Sequence, residues 1–302
     1  MAELDPGQLR ATRVQVDGPV ATVWLHRPHR HNAWTGRMHT EYLQILDRLE
    51  SREDIRAVVV TGTPPAFCVG GDAEALAAHA ERGGYDAGLS PDRPRPGYGL
   101  RPELDHDFAF QFALRTPLIA AVNGACAGVG LAVALFCDLR FVSADAKITT
   151  AAAKLGLPAE YGMSWILPRL VGVARAADLL LSSRVVTGAE SATWGWWNGV
   201  EADGAAALAA ATAYAQQLAT TVGPGALAVT KRQLYDDLLR HDVGASLVEA
   251  DRLLDEAMGT DEYREGIAAF RERRPPRFHG RAGVGSDGAT SRSAVEGRED
   301  QR

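Results

Sequence analysis

Apolar and polar positions alternate through residues 12 to 25 on either side of Gly18-Pro19, with Val14 and Val16 before the break and Val20, Thr22 and Trp24 after it. A period of two interrupted by a turn pair predicts a β-hairpin. The period then lengthens. Met38, Tyr42, Ile45, Leu46 and Leu49 recur at helical spacing, which predicts a helix over about 36 to 50. Alanine-rich helical patterns follow at about 204 to 220, 224 to 240 and 244 to 257, with a last helix through Ile267 to Phe270.

Between these ends lie two unbroken apolar runs, each closing on glycine. The first is Ala57-Val58-Val59-Val60-Thr61-Gly62, then Ala66-Phe67-Cys68-Val69-Gly70-Gly71-Asp72, with a helix from Ala73 to Ala80. A helix through Phe108 to Leu114 leads to the second, Pro117-Leu118-Ile119-Ala120-Ala121-Val122-Asn123-Gly124, then Gly128-Val129-Gly130. Residues 129 to 136 read as a buried helix, Leu139 to Val142 as a strand, and an apolar helix containing Trp165, Ile166 and Leu170 follows the turn-rich segment 155 to 162. Strand–helix alternation followed by helices alone indicates an α/β core with an all-α C-terminal part.

Two strands that each end in a turn of small residues can aim free backbone N–H groups at one oxygen. That is the geometry of an oxyanion hole, and it suggests enolate chemistry on an acyl thioester. A Rossmann reading of the glycines is disfavoured, because neither loop has the Gly-x-Gly-x-x-Gly spacing or an evident acidic ribose partner.

Composition narrows the partners. Of 302 residues 46% are hydrophobic, enough for a large core, and the net charge of −6 argues against nucleic acid. No apolar run approaches the roughly 18 residues of a membrane span, and the acidic N-terminus lacks a signal-peptide core. Three cysteines inside apolar stretches fit buried thiols in a cytoplasmic protein. Residues 81 to 104, with two adjacent glycines and four prolines, read as a lid-like loop, and 281 to 302 as a disordered tail. The expected organisation is a core over 1–203, a helical region over 204–280 and the tail.

Taken together the residues resemble the crotonase, or enoyl-CoA hydratase/isomerase, superfamily over about 12 to 280. The resemblance rests on Arg27-Pro28 with Asn32-Ala33, Ala66-Phe67-Cys68 with Gly70-Gly71-Asp72, and Pro117 with Ala120-Ala121-Val122-Asn123-Gly124. It continues through Cys137-Asp138-Leu139, Leu167-Pro168-Arg169 with Val171-Gly172, and Phe270 with Arg274-Pro275 and Phe278. It implies a spiral of ββα units with a helical C-terminal trimerisation region, a homotrimer or homohexamer, an acyl-CoA substrate and no separate cofactor. It assigns the oxyanion-hole amides to Gly71 and Val129. The loop from Arg30 through Ala33 and the backbone of Ala66, Phe67, Cys68 and Val69, with Gly70 and Asp72, fall where the family holds CoA, and Lys231 where a basic residue meets its phosphates.

The pattern departs at the hydratase glutamates, whose positions are Ala132 and Ala152. The carboxylate of the fungal and peroxisomal Δ3,Δ2-enoyl-CoA isomerases is matched instead, by Glu160 in Leu155-Gly156-Leu157-Pro158-Ala159-Glu160-Tyr161-Gly162. The resemblance therefore favours an isomerase with Glu160 as sole acid/base. The alternatives are a hydratase or β-keto acyl-CoA hydrolase using Glu160 and water, and a non-catalytic CoA-binding protein.

Other residues read more plainly. Asp72 also suits a helix N-cap, Asp138 a structural role at a strand start, and Cys68 a buried filler. Trp194, Trp196 and Trp197 read as core or subunit-contact residues. His26, His29 and His31 lack the partners of a metal site, while Arg30 in the same loop suits a CoA phosphate.

Overall fold

The alternation around Gly18-Pro19 forms the expected hairpin: β1 (Thr12–Asp17) pairs antiparallel with β2 (Val20–Leu25). In the computed structural model, which describes residues 9–83, 95–97 and 101–278, α1 (Gly36–Glu50) follows, with Thr35 as its N-cap. Three strand pairs come next. They are β3 (Ala57–Gly62) and β4 (Ala66–Cys68), β5 (Leu118–Val122) and β6 (Ala125–Ala127), and β7 (Leu139–Ser143) and β8 (Lys147–Thr149). The helices between and after them are α2 (Ala73–Arg82), the short α3 (Phe110–Ala113), α4 (Val129–Leu135) and α5 (Met163–Ser182). Then come β9 (Val186–Thr187), β10 (Gly199–Glu201), α6 (Gly204–Thr221), α7 (Pro224–Leu238), α8 (Val243–Met258) and α9 (Asp261–Glu272).

The strand pairs divide between two sheets. The larger has the order β1-β2-β3-β5-β7-β10 and the smaller β4-β6-β8-β9. Each successive ββα unit adds one strand to each sheet, which is the spiral the resemblance implies. From β2 onward the large sheet is parallel. Every residue of β3 and β5 is buried, so these strands read as continuous apolar runs rather than alternations. The strands of the smaller sheet, of two or three residues, are too short to show a period, and the hydrophobic pattern predicts none of them.

The chain forms two compact units, residues 1–219 and 220–302. The expected core boundary at 203 and this one differ by α6. Its Ala207, Ala211, Ala215 and Ala219 recur every fourth residue and are buried. Ala211, Ala215 and Ala219 pack with Val20, Val59, Ile119 and Phe141 of the large sheet, so the helix belongs to the first unit. In the second unit, α7, α8 and α9 surround a cavity of about 470 Å³ lined by Val229, Leu253, Tyr263 and Phe278. The carboxylate on that cavity, Glu262, is occupied by the Gly225 and Ala226 amides at 2.9 and 2.7 Å.

Most of the 81–104 loop and all of the 281–302 tail lie outside the described residues. Among the described residues, no helix is long and apolar enough to cross a membrane.

Candidate active site

The loop before α1 is stitched to the first glycine turn. The Asn32 side chain accepts from the Arg27 amide at 2.9 Å and donates to the carbonyls of Thr63 and Ala66, both at 2.7 Å. Arg27 donates through Nη1 to Ala33 O at 2.7 Å and to Asp72 Oδ2 at 2.9 Å. Between these anchors Trp34 donates its N–H to Gly70 O at 2.8 Å and accepts from Asp72 N at 3.0 Å, bridging Gly71 in parallel. In such a bridge the middle residue's own N–H turns away from the partner strand. Gly71 N accordingly meets no acceptor among the described residues. Gly70, directly before that amide, sits at φ +101°, a conformation that side-chain-bearing residues rarely adopt.

The second glycine turn lies against the first. β4 and β6 pair in parallel, Ala66 with Ala125 and Cys68 with Cys126. α4 begins directly after β6, and its first turn rests on Cys68. A Cβ on Gly130 would lie 2.7 Å from the Cys68 Cβ, so only glycine permits the approach. The Gly128 amide is taken by Thr149 O at 3.2 Å. Val129 opens the helix, so its N–H has no intrahelical acceptor. Two amides without a hydrogen-bond partner among the described residues thus lie in adjoining turns.

At the two hydratase positions the structure places methyl groups. Ala132 is buried in α4, and Ala152 is buried in a 3₁₀ turn held by Ser183, which accepts from the Ala153 amide at 3.1 Å. Glu160 lies in the segment leading into α5. It is half-buried, its carboxylate has no hydrogen-bond or ion-pair partner among the described residues, and burial raises its pKa above the ordinary 4.5.

An aromatic array runs from Gly71's partner to Glu160's neighbour. The Trp34 ring meets Phe108 edge to face with centroids 5.6 Å apart, and Phe108 meets Tyr161 at 5.4 Å. His39, from α1, stacks on Phe108 at 5.5 Å and meets Trp34 at 5.7 Å. Phe108 and Tyr161 have φ of +66° and +52°, backbone strain that the packing of their rings overrides. The helix expected from Phe108 starts two residues later for this reason. His39 Nε2 and Asp105 Oδ1 are buried with no hydrogen-bond partner among the described residues. A buried polar atom left unpaired typically costs about 1–3 kcal/mol.

The profile of one family, described as enoyl-CoA hydratase/isomerase, matches residues 15–281. The chain belongs to this family. It is 31% identical to the 1,2-epoxyphenylacetyl-CoA isomerase of Escherichia coli, over 88% of this chain and 97% of that one. It is 32% identical to a probable enoyl-CoA hydratase of Rhodobacter capsulatus, over 89% of this chain and 98% of the relative. The solved structure of a probable enoyl-CoA hydratase/isomerase from Mycobacterium abscessus superposes with a TM-score of 0.77 at 30% identity, covering 89% of this chain and 98% of that one.

Within this crotonase fold the expected site residues occupy distinct settings. Gly71, Val129, Ala33, Ala66, Phe67, Cys68 and Gly70 lie in or beside the two joined turns, with β4 at the edge of its sheet. Val69 is partly exposed there. The Cys68 thiol is pushed up to about 12 by burial, which leaves it a protonated filler. Asp72 accepts from the Glu74 amide at 3.1 Å and pairs with Arg27, so the cap and the ion pair account for its carboxylate. Arg30 pairs with Glu74 at 2.8 Å on the surface. Lys231 lies on α7 in the second unit with its side chain buried. Asp138 accepts from the Leu118 amide at 2.6 Å, an anchor at the start of β5. Trp196 is fully buried core. Sequence reasoning missed Trp34, His39 and Phe108 as a group. Aromatic residues in apolar segments carry no signal that separates a site wall from ordinary core.

Proposed function

We propose that the protein isomerises 3-enoyl-CoA thioesters to 2-enoyl-CoA thioesters, with Glu160 as the single acid/base. The supporting observation is that a half-buried carboxylate, without a partner among the described residues, is linked by the Trp34–Phe108–Tyr161 array to a turn whose Gly71 amide has no acceptor among them, while alanine stands at the two other carboxylate positions. The thioester oxygen accepts from the Gly71 and Val129 N–H groups. The Glu160 carboxylate removes a proton from C2, and the C2–H electron pair shifts to leave a dienolate, with its negative charge on that oxygen. The Glu160 carboxylic acid returns the proton to C4, and the double bond settles between C2 and C3. A raised pKa assists the return step, because a group poised nearer neutrality is both a competent base and a competent acid. Each oxyanion donor is worth about 10²–10³ in rate.

Arg30, Ala33 and the backbone from Ala66 through Asp72 are the proposed CoA contacts of the first unit, and Lys231, in the second unit, is by itself a proposed phosphate contact. A homotrimer or a dimer of trimers is the proposed assembly. Its support is the exposed apolar surface of the second unit, including Val243, Val248 and Phe270.

The test is turnover of a 3-enoyl-CoA and a 2-enoyl-CoA side by side in deuterated water, followed by mass spectrometry and ultraviolet absorbance. Isomerisation with deuterium entering C2 and C4, and no gain of water, is the expected result. Addition of water to the 2-enoyl thioester, without isomerisation of the 3-enoyl one, would overturn it. That outcome favours the second reading, a hydratase using Glu160 and water, which the hydratase description of the Rhodobacter relative supports.

A further inference from the structure

We propose that Phe108 is a positioning residue that fixes the reach of Glu160 by holding the ring of Tyr161. This inference rests on the reading of Glu160 as the acid/base. A carboxylate is oriented by hydrogen bonds to its oxygens or by a backbone that is itself held in place. Glu160 has no hydrogen-bond or ion-pair partner among the described residues, so the first kind of support is missing there. Residues 153 to 159, which lead up to it, are all exposed, so the core does not hold the segment from that side. What remains is the turn that follows.

Tyr161 and Gly162 both have left-handed φ, +52° and +70°. Glycine adopts this freely, but tyrosine does not, and such a conformation persists only where the surroundings impose it. The imposing contact is Phe108, fully buried, whose ring meets Tyr161 edge to face at 5.4 Å. Residues of the same short segment reach the turn a second time. Phe112 packs on Phe136 at 5.2 Å, and a Cβ on Gly162 would lie 3.2 Å from the Phe136 Cζ. Glu160 O closes the turn by accepting from the Met163 amide at 3.0 Å, where α5 begins. Residues 108 to 112 thus brace both residues after the base, and the direction in which the Glu160 side chain leaves the backbone follows from that brace.

Steady-state turnover of a 3-enoyl-CoA by the full-length protein tests the role, with active sites counted by isothermal titration of the saturated butyryl-CoA. Tyr161→Leu and Phe108→Leu each remove the ring pair. In both, kcat per titrated site should fall about 10²-fold with KM within about twofold of wild type, because a misplacement of about 1 Å at a reacting group costs that much. Tyr161→Phe keeps the ring and should recover most of the rate lost in Tyr161→Leu. Tyr161 is only half-buried, so its variants carry the test even where Phe108→Leu does not fold. Unchanged kcat in Tyr161→Leu, with Glu160→Gln inactive in the same assay, would overturn the positioning role alone. A raised KM with kcat preserved would overturn it too, because the rings would then act on binding. Equal loss in Tyr161→Phe and Tyr161→Leu would assign the effect to the hydroxyl and overturn it as well. Full turnover by Glu160→Gln, or none by the wild-type protein, would instead overturn the Glu160 reading, and the role of Phe108 with it.

Discussion

The rings of Phe108 and Tyr161 meet edge to face with centroids 5.4 Å apart, although 53 positions separate them in the chain and both have left-handed backbones. Through this contact the segment bearing Glu160 is tied to Trp34, and through Trp34 to the Gly71 turn. The proposed base and one proposed oxyanion donor are therefore placed by a single run of packed side chains.

Glu160→Gln should lower isomerase turnover at least about 10²-fold while leaving acyl-CoA binding intact. It should also stabilise the fold at neutral pH. Burial raises the Glu160 pKa above 4.5, so the folded state binds its proton more tightly than the unfolded state does. Stability attached to this group is complete below about 4.5 and is lost as pH rises through the folded-state pKa. The amide carries no such loss. Thermal melts should show a higher midpoint for the variant at neutral pH, with the gap closing toward pH 4.5. A variant that melts lower than wild type at neutral pH would contradict the assignment of Glu160 as a desolvated, unpaired carboxylate.

Val129→Pro isolates one oxyanion donor. Proline is tolerated in the first turn of a helix, where the missing N–H breaks no intrahelical bond. Val129 is the first residue of α4. The expected outcome is a fall in kcat of about 10²–10³-fold with little change in melting temperature. Unchanged kcat in a folded variant would remove Val129 from the proposed mechanism.

The three thiols should be silent in the native state. Cys68, Cys126 and Cys137 are all buried, and burial pushes Cys68 up to about 12. A disulfide reagent at mildly alkaline pH should label none of them until denaturant is added, and then all three. Rapid labelling of Cys68 in the native protein would show a thiolate that the structure does not provide for.

Glu41, on α1, anchors the bend that leads into β1. Its carboxylate accepts from the amides of Arg10 and Ala11 at 3.0 and 2.9 Å, from Thr12 Oγ1 at 2.9 Å and from Arg37 Nε at 2.7 Å. Burial pushes its pKa up, but these donors outweigh burial and hold it below 4.5. Glu41→Ala strands buried donors at Ala11 and Thr12 and should cost about 2–4 kcal/mol in denaturant unfolding. A depressed pKa adds stability above 4.5 that is lost as pH falls through the folded-state value. The wild-type advantage over the variant should therefore shrink in acid.

The chain's local pattern was enough for the hairpin, α1, the continuous apolar strands β3 and β5, and the C-terminal helices. Each of those elements is specified by a period or an unbroken run within its own residues. The family followed from motifs whose backbone demands are local as well, above all the two glycine turns and the segment around Glu160. The smaller sheet was not legible, because strands of two or three residues are created by pairing with distant neighbours rather than by propensity. The membership of α6 in the first unit was decided by its alanine stripe finding the sheet, which an alanine-rich helix alone does not announce. The adjacency of Trp34, His39, Phe108 and Tyr161 was likewise settled only in three dimensions. Their rings come from α1 and the loop before it, from the approach to α3 and from the approach to α5, and only the folded chain brings such remote positions within van der Waals reach. Turns could thus be read residue by residue, whereas the packing of these rings depended on contacts that no local pattern encodes.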